Sequence, residues 1–128
     1  MIKHKNILTN LKKNNIILDY APTGSNYICT PPVKDTDIDY VVYTGDLEWT
    51  LDKLTSIGWV QGDTKNYSEL VDDFVSMRFD VINLIVTGDF SFYDKWVKAT
   101  AVAKKLNLLK KQDRIILFDF VLYDTLPE

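Results

Sequence analysis

Two carboxylates one residue apart stand inside an apolar, β-branched run, Asp37-Ile38-Asp39-Tyr40-Val41-Val42-Tyr43. Side chains along a strand alternate between faces, so Asp37 and Asp39 share one face with Cα atoms ~6.5 Å apart. Unpaired charge is costly in such surroundings, and two carboxylates at this spacing can converge on one cation or bridge two. A third, Asp80, lies in a second apolar run from Phe74 to Thr87, close to Arg78. If that run pairs beside the Asp37–Asp39 strand, three negative charges gather, and they remain ionised together only around divalent metal. Magnesium suits such hard oxygen ligands and a phosphate substrate, with manganese as its substitute. Asn83 also falls in the middle of the second run. A different alignment of the strand turns Asn83 instead of Asp80 toward the pair, and the third acid is then missing. Upstream, Gly24-Ser25 closes a β-type run at a turn, where backbone N–H groups and a hydroxyl can approach an anion closely and cradle phosphate.

The elements that must position these residues follow from hydrophobic spacing and turn chemistry. Ile7, Leu8 and Leu11 mark an amphipathic helix over Ile2 to Asn14. Ile16 to Leu18 with Tyr20 form a short strand, ended by the Ala21-Pro22-Thr23-Gly24-Ser25 punctuation, and Pro31-Pro32 sets an extended path into the Asp37–Tyr43 strand. Asp46 caps a helix with Leu47, Leu51, Leu54 and Ile57 on one face, which Gly58 ends. Trp59 to Gln61 is a short strand and Gly62 to Asn66 a loop. Phe74 to Thr87 is one long bent strand or a tight hairpin. Ser91 and Asp94 resemble a capping box, followed by a helical face of Trp96, Ala99, Ala103 and Leu106. The last segment, Ile115 to Tyr123, is apolar nearly all round and is read as a helix capped by Asp113. The order is α-β-β-α-β-β-α-α, an α+β fold with one domain over residues 1–128.

Thr23-Gly24-Ser25 followed by Asp37-Ile38-Asp39-Tyr40-Val41-Val42 resembles the Gly-Ser and Asp-x-Asp signature of the DNA polymerase beta-like nucleotidyltransferase superfamily. Arg78-Phe79-Asp80-Val81 resembles its third-acid strand, and the order of elements resembles its catalytic palm, a small mixed β-sheet with helices packed on it. The stretch from Asp113-Arg114-Ile115 to Tyr123, together with Thr23 to Val42, further resembles small nucleotidyltransferase-like proteins of tailed bacteriophages. The resemblance implies transfer of a nucleoside monophosphate from a nucleoside triphosphate to a hydroxyl, with release of pyrophosphate. Asp37 and Asp39 would hold two magnesium or manganese ions, Asp80 would bind the catalytic ion and help deprotonate the acceptor, and Gly24 with Ser25 would hold the terminal phosphates. The acceptor is not specified; a protein or an RNA is one option. The competing reading is a nucleotidyltransferase-like module that binds a nucleotide or partner with weak or no turnover, and Asn83 is the residue that favours it.

Composition limits the other classes. A chain of 128 residues with 46% hydrophobic and 26% charged residues builds one core and leaves no length for a separate acceptor domain. A net charge of −3 excludes a broad basic surface for nucleic acid. No stretch of ~20 apolar residues is present to span a bilayer. A single cysteine, Cys29, fits a reducing cytoplasm, the host's if the chain is phage-encoded, and with His4 alone beside it makes no N/S zinc site. Simpler roles stand beside the sharper ones. Asp35, Asp37 and Asp39 mimic a calcium loop, but Tyr40 and Asp46 stand where its glycine and glutamate belong. Asp80 can pair with Arg78 or mark a hairpin turn. Lys98, Lys104 and Lys105 follow the third-acid strand and could meet a triphosphate, but a solvated helix face is the preferred reading of them. Trp49, Trp59 and Trp96 read as core or groove residues, His4 as a surface residue, and Cys29 as a loop residue without an activating partner.

Overall fold

The computed structural model describes residues 4–31, 37–62 and 74–124, with only the backbone of His4 and Lys5. The expected helix start at Ile2, the surface placement of His4, Asp35, the extended path past Pro31 and the loop past Gly62 lie outside the described residues. The chain runs through α1 (His4–Lys13), β1 (Asp19–Thr23), α2 (Gly24–Ile28), β2 (Ile38–Tyr43) and α3 (Leu47–Ser56). It continues through β3 (Val60–Gln61), β4 (Val75–Phe79), β5 (Ile82–Thr87), α4 (Phe90–Leu106) and α5 (Lys111–Tyr123). The five strands form one sheet in the order β1-β2-β5-β4-β3. Only the β2–β5 pair is parallel, so the sheet is mixed and the fold is α+β, as expected. Among the described residues no helix is long and apolar enough to cross a membrane.

β5 lies at the centre of the sheet and is buried along its whole length, which explains why Ile82 to Thr87 shows no alternation of apolar and polar residues. The two faces of the sheet carry separate cores. Val41 and Ile85 point to the face covered by α2, α4 and α5, where Ile28, Trp96, Ala99 and Phe118 are buried. Val42, Leu84 and Val86 point to the opposite face, against Leu8, Leu11, Leu54 and Trp59. The 74–87 run is the tight hairpin rather than the long strand, with Asp80 and Val81 as its turn.

Several local expectations are corrected. β1 begins at Asp19 and runs through Pro22, which an edge strand tolerates because its missing N–H removes no interior ladder bond. Gly24-Ser25 opens a short helix instead of a simple turn. The cap of α4 is Asp89, accepting from Ser91 N and Phe92 N, while Asp94 pairs with Lys98 one turn on. α5 starts at Lys111, before Asp113, and has no side-chain cap. Trp49 is exposed, as are Ile57 and Leu106, so the outer ends of their helical stripes leave the core. Asp46 does cap α3 by accepting from Trp49 N at 3.1 Å.

A buried pair of hydroxyls ties α3 to the sheet. Thr50 donates to the Ile16 carbonyl at 3.0 Å, so the 2.5 Å contact between Thr44 and Thr50 must be donated by Thr44. Thr50→Val keeps the shape and leaves both groups unpaired. The expected cost is about 1–3 kcal/mol, read as a lower midpoint in chemical denaturation.

Candidate functional site

Register gathers the site. Thr23 of β1 stands opposite Asp39 of β2, Asp39 opposite Asn83 of β5, and Asn83 opposite Arg78 of β4. Because strand residues alternate between faces, these four side chains lie in one row on the α4 side of the sheet, with Ser76 two residues away on the same face and Asp37, just before β2, joined to the row through Arg78. The residue beside Asp39 on the neighbouring strand is therefore Asn83. Asp80 sits in the exposed β4–β5 turn with φ of +55°. The expected convergence of Asp80 with Asp37 and Asp39 on adjacent strands is not found, because the chain reverses at Asp80. Among the described residues no group of three or more His, Cys, Asp or Glu side chains is placed to share a metal ion.

Hydrogen bonds fix this row. Asn83 Nδ2 donates to Asp39 Oδ1 at 3.2 Å, and the buried hydroxyl of Ser76 donates to Asn83 Oδ1 at 2.6 Å. Asp37 Oδ1 is held by Arg78 Nη2 at 2.5 Å in a half-exposed ion pair. Burial pushes the Asp39 carboxyl up from the ordinary 3.8 to about 6; the Asn83 hydrogen bond opposes this, neighbouring Asp37 adds to it, and Arg78 works against it.

Gly24 completes the contact from β1. Its φ is +79°, and a Cβ built there would lie 2.0 Å from Asp39 Oδ2, so only glycine admits this approach. The preceding residue, Thr23, is locked by a buried network. Trp96 Nε1 donates to Thr23 Oγ1 at 2.8 Å, and Thr100 donates to the Trp96 carbonyl at 2.9 Å. The 2.7 Å Thr23–Thr100 contact is then donated by Thr23. Ser25 follows in the first turn of α2, partly buried.

A cleft of about 360 Å³ opens beside Asp39, lined among others by Thr23, Asn26, Tyr27, Tyr40 and Lys104. Of the lysines singled out in the sequence, only Lys104 reaches it. Lys104 stays exposed, as a solvated face requires, while its ammonium donates to the Tyr27 carbonyl at 2.8 Å and lies 4.2 Å from the centre of the Tyr27 ring. Lys98 pairs with Asp94, and Lys105 is exposed. Farther along, Asn107 brackets Thr30, accepting from its N–H and donating to its carbonyl. Cys29 is buried, with Arg114 Nη1 3.4 Å from its sulfur.

Ser76, Tyr27, Trp96 and Thr100 went unread as site residues in the sequence. Only the two-residue spacing of Ser76 and Arg78 and the four-residue spacing of Trp96 and Thr100 hint at shared faces.

No family model matches the chain, and no curated protein matches it. Among solved structures, the crystal structure of conserved protein GrpB from Enterococcus faecalis is similar to it. The similarity covers 91% of this chain and 82% of that one, with a TM-score of 0.47 and 17% sequence identity.

Two outcomes follow from this geometry. Since the folded Asp39 carboxyl holds its proton up to about pH 6 and the unfolded one only to 3.8, its contribution to stability is complete below the lower value and is lost as pH rises through the higher one. Asp39→Asn should flatten the stability profile over that window and raise the stability at neutral pH by at most about 3 kcal/mol, read as a higher melting temperature. Gly24→Ala should destabilise the fold by at least about 1–2 kcal/mol in chemical denaturation, since a Cβ meets both the left-handed backbone and Asp39.

Proposed function

We propose that this chain is a nucleotidyltransferase-like protein that binds a nucleoside triphosphate with a divalent cation at Asp37 and Asp39 and transfers its nucleotidyl group to a hydroxyl. The observation that carries this reading is the contact of Gly24 with Asp39, supported by the resemblance of Thr23-Gly24-Ser25 and Asp37-Ile38-Asp39 to the superfamily signature. Gly24, in the candidate phosphate cradle, lies against the acidic strand although it comes well before Ile38, where β2 begins, along the chain.

The donor set suits a cation. Asp39 is a carboxylate whose ionisation burial opposes, and a neighbouring positive ion removes that opposition. Asp37 is the second oxygen donor on the same face. Magnesium or manganese held there would neutralise phosphate charge and polarise the α-phosphorus. In this reading Gly24 and Ser25 offer backbone N–H groups and a hydroxyl to the terminal phosphates. The cleft beside Asp39 receives the rest of the nucleotide, with Tyr27 as an apolar wall and Lys104 as a positive edge. The acceptor oxygen forms the new bond to the α-phosphorus as the bond to the bridging oxygen breaks. Pyrophosphate leaves, and the hydroxyl proton passes to solvent. A cytoplasmic setting belongs to the same reading.

A second reading, a nucleotide-binding module with little turnover, is favoured by Asn83 standing beside Asp39 where an acid would serve catalysis. One assay separates the two. Labelled nucleoside triphosphates are incubated with magnesium or manganese, with and without protein and RNA acceptors, and pyrophosphate and labelled acceptor are measured. Turnover lost by at least about 100-fold in Asp37→Asn with Asp39→Asn supports the transferase. Nucleotide binding without turnover in any mixture selects the binding module, and absence of both overturns the assignment.

A further inference from the structure

The side chains around Asp39 specify the metal content of the site, an inference that rests on the nucleotide-binding reading above. Two divalent ions held ~3.5–4 Å apart on one phosphate site call for more anionic oxygen ligands than a single ion does. Here the place beside Asp39 on the central strand is filled by an amide that presents hydrogens, not oxygen lone pairs. The orientation of that amide is dictated from behind. Asn83 is 6% exposed and Ser76 is 3% exposed, so each polar atom needs a partner within the protein. Asp39 can only accept while ionised, which calls for Nδ2 on its side. Oδ1 is then left facing Ser76, whose hydroxyl donates to it. Turning the amide over would set Oδ1 against the carboxylate. Its hydrogens therefore face the Asp39 carboxylate, where an acid in the same place would offer lone pairs to a cation.

The other flank is also occupied. Arg78 reaches across from β4 to Asp37, so the two carboxylates and the guanidinium together carry a single negative charge. A second divalent ion at Asp37 would have to displace that guanidinium or stand beside it.

We infer that this site takes one divalent cation with its nucleotide, and that Asn83, held by Ser76, and Arg78 on Asp37 together exclude the second.

The test counts ions. Manganese is titrated into the full chain saturated with a non-hydrolysable nucleoside triphosphate analogue, and free ion is followed by electron paramagnetic resonance. One bound manganese per chain is the expected plateau for the wild type. Asn83→Asp supplies the missing carboxylate and should raise the plateau to two. A wild-type plateau of two overturns the inference while leaving nucleotide binding in place. A variant that folds and still plateaus at one overturns the role of Asn83. Failure of the wild type to retain either analogue or manganese overturns the nucleotide-binding reading and this inference with it. Should the added charge prevent Asn83→Asp from folding, the wild-type count decides the question, since it needs no variant.

Discussion

Asp39 is a carboxylate held where burial works against its charge, and much of the surrounding structure answers that problem. Asn83 supplies a hydrogen bond from the central strand and Arg78 supplies positive charge through Asp37, while Gly24 packs against the remaining oxygen and adds to its burial. Each partner comes from a different strand or strand end. The parallel alignment of β2 with β5 is what brings them into one row, and a slip of one residue would send every member to the opposite face. The apolar cores on the two faces set that register, because Val41 with Ile85 and Val42 with Leu84 must each find their own layer of helices. The site thus inherits its geometry from packing that has no chemical role.

Much of this arrangement was legible from residue types. The strand that ends at Tyr43 and the Asp46-capped helix have local signatures that survive tertiary folding, whereas the nearness of Gly24 to Asp39 was suggested only by the superfamily resemblance. The position of Asp80 was not legible, because an apolar run with one interruption reads equally as a bent strand or as a hairpin. The decision belongs to backbone conformation, since Asp80 adopts a left-handed turn that aspartate tolerates better than most residues. The same ambiguity left Asn83 and Asp80 as alternatives beside the pair, because the neighbour across the sheet depends on pairing between strands far apart in the chain.

Lys104 and Pro22 show two further limits of sequence reasoning. The partner of a lysine on an exposed helix face stays hidden until the segment opposite it is known, and here that segment is the Tyr27 turn. Proline looks like a strand breaker until the strand proves to lie at the sheet edge. In both cases the deciding information is which element lies alongside, and no spacing within one segment carries it.

α4 grips the segment from Thr23 to Thr30 at successive turns: Trp96 and Thr100 at Thr23, Lys104 at Tyr27, and Asn107 at Thr30. A helix rises ~1.5 Å per residue, so these grips form a ruler of fixed graduations along which the segment is laid. Surface connections ordinarily tolerate changes in length, but this one is gauged at both ends and in the middle. Adding or deleting a residue between Gly24 and Cys29 would shift every later contact off its mark. In the divergence of such chains, length variation is therefore expected to be rejected from this stretch even where its side chains change freely.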